Sequence, residues 1–165
     1  MTDPKLLELA ARVGATLLAG RRRLATAESC TGGFIAKTLT DIPGSSQWFE
    51  CGYVTYSNAA KIRDLGVAPA TLAQHGAVSE ATAREMASGA LRVADADVAL
   101  AVTGIAGPDG ALPGKPVGTV WFGCACRSET GVKIDSRVAQ FTGDRDTVRR
   151  LSVEYGLKLI LQLKS

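Results

Sequence analysis

The sequence predicts an α/β fold: a three-layer α/β/α sandwich built on a mixed, mostly parallel sheet. Three observations carry this reading. Helical and strand-like stretches are interspersed, in the order α-β-α-β-α-α-β-β-β-α. One strand, Val98 to Val102, is apolar at every position, as a strand covered on both faces must be. The last two strands are separated only by a turn near Gly131, so they pair as a hairpin and make the sheet mixed.

Asp3-Pro4 opens the first helix, an Asp N-cap followed by proline at the first helical position. Leu6, Leu7, Ala10, Val13, Leu17 and Leu18 recur at three- and four-residue steps as its apolar face, and Gly20 closes it. Arg21, Arg22 and Arg23 follow where cations suit the helix dipole, so they read as a solvated helix end rather than a binding patch. Leu24 to Ala27 is a short strand running into Glu28-Ser29-Cys30-Thr31-Gly32-Gly33, and Phe34, Ile35, Thr38 and Leu39 fit a helix after the glycines. Gly44-Ser45-Ser46 is a turn, and the β-branched, aromatic stretch Cys51 to Tyr56 is a strand. Ser57 or Asn58 caps the next helix, which carries Lys61 and stops at Gly66; Gln74-His75-Gly76 reads as a loop. Ser79-Glu80 begins a helix with Ala83, Met86, Ala87, Ala90 and Leu91 inward. The apolar strand ends in a glycine-rich loop, Thr103 to Gly110, before strands from Val117 to Cys126 and Val132 to Phe141. Asp144 caps a final helix with Val148, Leu151, Tyr155, Leu159 and Leu163 on one face.

The 165 residues are 46% hydrophobic and 21% charged, enough to build the core of one domain spanning 1–165 and unlike a disordered chain. A net charge of +3 and 5% aromatics supply few of the cations and stacking platforms a nucleic-acid binder uses. No apolar run reaches the ~18–20 residues of a membrane helix, and Asp3, Lys5 and Glu8 do not read as a signal peptide. The expectation is a cytoplasmic protein that takes a small anionic ligand, with no nucleic acid and no membrane as partner. Cys30, Cys51, Cys124 and Cys126 lack the Cys-x-x-Cys spacing of a zinc site, and Cys124 and Cys126 read as small core residues on one strand face.

Three junctions after strands are rich in small polar residues: Glu28 to Gly33, Ser57 to Lys61, and Thr103 to Gly110. Such loops are where α/β proteins place ligands. At the first, a strand, a sharp turn and a glycine-relaxed helix start leave the Ser29 hydroxyl at the top of the sheet. The N–H groups of Cys30, Thr31 and Gly32 then lie nearby, able to hold an oxyanion or a phosphate. The plainer alternative is that Ser29 or Thr31 only caps the helix. A nucleophilic serine needs a base. The chain has one histidine, His75, in a loop; the other candidate is a desolvated lysine, and Lys61 sits on the side of the sheet that holds Ser29. A helix N-terminus and a partly buried pocket both disfavour the ammonium, although Lys61 also fits a surface lysine. Ser57 and Lys61, at i and i+4, form a competing pair, with Ser57 read mainly as an N-cap. Arg145, in the first turn of the last helix, opposes the dipole and would be relieved by an anion; pairing with Asp144 and Asp146 is the alternative.

TAESCTGG (Thr26 to Gly33), DIPGSSQWFECGYVTYSNAAK (Asp41 to Lys61), LAQHGAVSE (Leu72 to Glu80), VTGIAGPDG (Val102 to Gly110), KPVGTVWF (Lys115 to Phe122) and GDRDTVRR (Gly143 to Arg150) together resemble the CinA C-terminal domain family. The likeness runs through almost the whole chain in the same order, and it is to the family's stand-alone form. It implies the family's three-layer α/β/α, anticodon-binding-domain-like fold and a homodimer without cofactor or metal. It also implies a Ser/Lys amidohydrolase that converts nicotinamide mononucleotide to nicotinate mononucleotide and ammonia. By position, Ser29 would be the nucleophile and Lys61 the base. Cys30, Thr31, Gly32, Gly33, Tyr56, Thr103, Gly104 and Arg145 would line the substrate site. A non-catalytic nucleotide-binding or competence- and damage-associated interaction domain is the second reading. It has no need of a neutral Lys61.

Overall fold

The computed structural model describes residues 3–163. Helix α1 (Pro4–Ala19) starts where the sequence places it, with Asp3 accepting from the Lys5 N–H and Pro4 in the first turn. Its buried face is Leu6, Leu9, Ala10, Val13, Gly14 and Leu17. Leu18, expected there, is exposed, because adjacent helical residues point about 100° apart and Leu17 holds the inward position. There follow β1 (Leu24–Glu28), α2 (Phe34–Thr40), a 3-10 turn at Ser45–Gln47, β2 (Phe49–Val54), α3 (Asn58–Leu65), α4 (Pro69–His75), α5 (Glu80–Val93), β3 (Val98–Gly104), β4 (Thr119–Ser128), β5 (Gly131–Gln140) and α6 (Arg145–Gln162).

Helix α4 replaces the loop expected around His75. Pro69 sets its first turn, Leu72 packs inward, and Glu85 of α5 accepts from the Ala68 N–H (2.8 Å) and the Thr71 hydroxyl (2.6 Å), capping from outside the helix. With one buried leucine in seven residues, it offers no periodicity to read.

The strand order is β2-β1-β3-β4-β5. Strands β2, β1 and β3 pair in parallel, and β4 is antiparallel to both β3 and β5. Four strands thus point one way, but the ladders divide two and two, so "mostly parallel" holds for strand direction and not for pairing. Helices α1, α2 and α6 cover one face, and α3, α4 and α5 the other.

The two layers differ in side-chain size. Along β3, Val98, Leu100 and Val102 enter the core under α1, α2 and α6, while Ala99 and Ala101 face α5. On β4, Val120, Phe122, Cys124 and Cys126 join the first core, and Ala125 joins the second. Helix α5 therefore lies directly on the sheet: a β-carbon on Gly123 would stand 2.2 Å from the Ala83 carbonyl oxygen. It also presses on α3, where a β-carbon on Gly89 would stand 1.9 Å from the Leu65 carbonyl oxygen. No helix among the described residues is long and apolar enough to cross a membrane.

From β1 the chain moves out to β2 on one side and returns as β3 on the other. The connections diverge at the carboxyl ends of β1 and β3, the place where open α/β sheets bind ligands.

Candidate active site

Ser29 follows the last residue of β1 and is 9% exposed. Its N–H donates to the Val102 carbonyl (2.9 Å), and the Thr55 N–H donates to the Glu28 carbonyl (3.0 Å), so both neighbouring strands hold the chain up to the turn. Gly32 and Gly33 make the turn itself, with φ of 57° and 91°, left-handed values that a β-carbon resists.

Gly33 precedes α2 with no side chain to cap it. Glu28 caps α2 from the strand instead. Fully buried, it accepts from the Thr31 hydroxyl (2.8 Å) and the Ile35 N–H (2.8 Å) through Oε1, and from the Ala36 N–H (3.0 Å) through Oε2. Burial pushes its carboxyl above the usual 4.5, against the pull of these donors. This alters the expected donor set at the turn. The Gly32 N–H donates to the Ser29 carbonyl (3.0 Å), so Gly32 is engaged within the turn. The N–H groups of Cys30 and Thr31 donate to no backbone carbonyl among the described residues.

Lys61 is in the first turn of α3 and only 1% exposed. Its Nζ lies 3.0 Å from Ser29 Oγ, 2.9 Å from the Thr55 carbonyl oxygen and 3.2 Å from that of Tyr56. None of the ion pairs among the described residues involves it. Burial lowers its pKa from 10.5, with Cys30 acting in the opposite sense. Burial in turn pushes the Cys30 thiol up to about 11, so at neutral pH it carries no charge to hold a proton on Lys61. Lys61 Nζ donates to both carbonyls and to Ser29 Oγ; a neutral amine would keep its two N–H bonds for Thr55 and Tyr56, which only accept, and leave its lone pair for the Ser29 hydroxyl. Ser57 takes no part: its Oγ caps α3 by accepting from the Ala60 N–H (3.0 Å). Nor is His75 the partner of Ser29; it ends α4, where its carbonyl accepts from Lys115 Nζ (2.7 Å).

Arg145 opens α6 and bridges two loops, donating to the Gly107 carbonyl (2.9 Å) and to the Tyr56 hydroxyl (3.1 Å). It forms none of the ion pairs among the described residues. Asp144, its expected alternative partner, instead caps α6 by accepting from the Thr147 N–H (2.9 Å). Tyr56 is 61% exposed, two residues beyond the end of β2, which stops at Val54 rather than reaching Tyr56 as expected. Thr103 is buried and its hydroxyl donates to the Ala77 carbonyl (2.8 Å), which ties the α4–α5 connection to β3. A β-carbon on Gly104 would lie 2.7 Å from Val120 Cγ2, so this position has no room for a side chain.

Two residues at the turn were not singled out from the sequence: Glu28 and Arg149. Arg149 donates from Nε to the Cys30 carbonyl (3.2 Å) and from Nη2 to the Thr31 carbonyl (3.0 Å). Its signal in the sequence is the i, i+4 step from Arg145, which puts both guanidinium groups on one face of α6. No group of three or more His, Cys, Asp or Glu able to hold a metal occurs among the described residues. The arrangement sets a buried amine within hydrogen-bond reach of a hydroxyl, and it presents a cation at its rim.

The sequence model of the CinA C-terminal domain matches residues 6–164. The chain is 54% identical to the nicotinamide-nucleotide amidohydrolase PncC of Escherichia coli strain K12, over 98% of this chain and 96% of that one. It is 49% identical to the protein of the same name from Pseudomonas putida, over 98% of both. Among solved structures, the competence/damage inducible protein CihA from Agrobacterium tumefaciens superposes with a TM-score of 0.93 at 39% identity, covering 98% of this chain and 97% of that one.

Proposed function

Because the chain belongs to the CinA C-terminal domain family, we propose that it is an amidohydrolase of nicotinamide mononucleotide acting through Ser29 and Lys61. The observation that carries this reading is the buried Lys61 amine, 3.0 Å from the Ser29 hydroxyl, with two carbonyls on its remaining sides and no acidic partner among the described residues. A module that only binds nucleotides has no use for such an amine, since a charged lysine in water would serve it better.

Lys61 takes the Ser29 proton as Ser29 Oγ bonds to the carboxamide carbon, and the carbonyl oxygen becomes an oxyanion facing the N–H groups of Cys30 and Thr31. The Lys61 ammonium then gives its proton to the amide nitrogen, the C–N bond breaks, and ammonia leaves. Water, deprotonated by Lys61, attacks the acyl-enzyme; the C–Oγ bond breaks and the proton returns to Ser29. Arg145, with no carboxylate to neutralise it among the described residues, takes the 5′-phosphate, and Tyr56 sits beside it at the rim. That contact holds the amide against Ser29 through the remote end of the substrate. Thr103 and Gly104 shape the floor of the site. The product, nicotinate mononucleotide, returns the pyridine ring to NAD recycling. Family membership also supports a cytoplasmic homodimer.

Ammonia release from nicotinamide mononucleotide, measured with and without a chelator, tests the reading. Ser29→Ala falls to background, and Lys61→Ala loses about 10²–10⁴-fold or more, with folding intact by circular dichroism. Full activity in either variant refutes the assigned roles.

A further inference from the structure

Arg149 is anchored on α6, yet both acceptors of its guanidinium are backbone carbonyls of the turn after Ser29. A trans peptide is planar, with its C=O and N–H pointing in opposite directions. Holding the Cys30 carbonyl toward α6 therefore aims the Thr31 N–H away from α6. The next peptide is pinned at both ends: the Thr31 carbonyl accepts from Arg149 and from the Phe34 N–H (3.1 Å), and the Gly32 N–H donates to the Ser29 carbonyl. The Cys30–Thr31 peptide has no such second tie. Its carbonyl is held by Arg149, and its N–H donates to no backbone carbonyl among the described residues.

We propose that Arg149 is a positioning residue that sets the Cys30–Thr31 peptide plane, so that the Thr31 N–H is preorganised for the oxyanion. The inference rests on the Ser29/Lys61 reading above. It separates two arginines on one helix face: Arg145 meets the substrate, and Arg149 acts through the backbone. Without Arg149 the peptide can rotate, and the donor is no longer fixed when charge develops on the oxygen. A lysine at this position reaches one carbonyl but cannot span two as the planar guanidinium does.

The test uses the full chain, with Arg149→Met and Arg149→Lys compared to wild type. Ammonia release is followed with nicotinamide mononucleotide and with its thioamide counterpart, whose sulfur is a poor acceptor. The rate at which an aryl sulfonyl fluoride modifies Ser29 is measured alongside. Loss of one preorganised oxyanion donor lowers kcat about 10²-fold in Arg149→Met, with KM within about twofold and partial recovery in Arg149→Lys. The wild-type preference for amide over thioamide shrinks in the same order, a change that general loosening of the fold does not produce. If Arg149→Met fails to fold, Arg149→Lys carries the test through its own kcat and its amide-to-thioamide ratio. A rise in KM at unchanged kcat, or an unchanged amide-to-thioamide ratio, overturns the inference. If wild type releases no ammonia and the sulfonyl fluoride leaves Ser29 unmodified, the Ser29/Lys61 reading itself falls. If wild type is active and modified but Arg149→Met matches it in every respect, only the role of Arg149 falls.

Discussion

The charge state of Lys61 can be read from stability alone, without any substrate. Lys61→Met keeps an unbranched apolar chain one atom shorter and removes the amine. It leaves the Thr55 and Tyr56 carbonyls without a donor, at a cost of about 1–3 kcal/mol each that does not depend on pH. The pH-dependent part belongs to wild type. Burial lowers the folded-state pKa of Lys61 below its ordinary 10.5. Below the folded pKa both states hold the proton, and above 10.5 neither does. Between the two, the unfolded chain is protonated and the folded one is not, so stability rises with pH by about 1.4 kcal/mol per unit. The burial penalty on the ammonium is thus present at low pH and is relieved as pH rises through that window. Urea unfolding of both proteins, stepped from about pH 7 to about pH 10, should give curves that diverge toward alkaline pH in favour of wild type. The other titrating groups are common to both proteins and cancel in the difference. Parallel curves would mean that Lys61 titrates alike in both states, and the neutral base would be lost from the mechanism.

Two further predictions concern the rim and the scaffold. Arg145→Ala removes a charge-assisted phosphate contact of about 1.5–3 kcal/mol, so KM for nicotinamide mononucleotide should rise about 10- to 150-fold; the same substitution should leave turnover of the phosphate-free riboside unchanged, and equal losses on both substrates would exclude the phosphate role. Gly123→Ala places a β-carbon 2.2 Å from the Ala83 carbonyl oxygen; it should lower unfolding free energy by about 1–3 kcal/mol or more in urea, and a neutral result would mean that α5 can lift from the sheet.

What could be read in advance followed from how local each signal is. The Ser29 turn was legible because strand, small polar residues and two glycines lie next to one another in the chain. The Asp3, Ser57 and Asp144 caps were legible for the same reason, and all three accept as expected. Helix α4 was hidden because its cap, Glu85, comes from α5, ten residues beyond His75. Glu28 was passed over because its donors lie up to eight residues ahead. Arg149 is one of three arginines between Arg145 and Arg150, and although its step from Arg145 shares a helix face, its acceptors lie more than 115 residues away. The layer asymmetry was visible in Val98-Ala99-Leu100-Ala101-Val102, which alternates large and small, yet the run reads simply as apolar until the two faces are told apart.

The small-residue layer bears on how the amine of Lys61 is held. Helix α3 meets α5 through a main-chain carbonyl set over Gly89, and α5 meets the sheet through one set over Gly123. Main chain seated on main chain has no rotamers through which to absorb a displacement. A shift of α5 on β4 would pass to α3 undamped, as through a stack of plates. The enzyme's tolerance of change along this route should therefore be set by single methyl groups rather than by whole side chains.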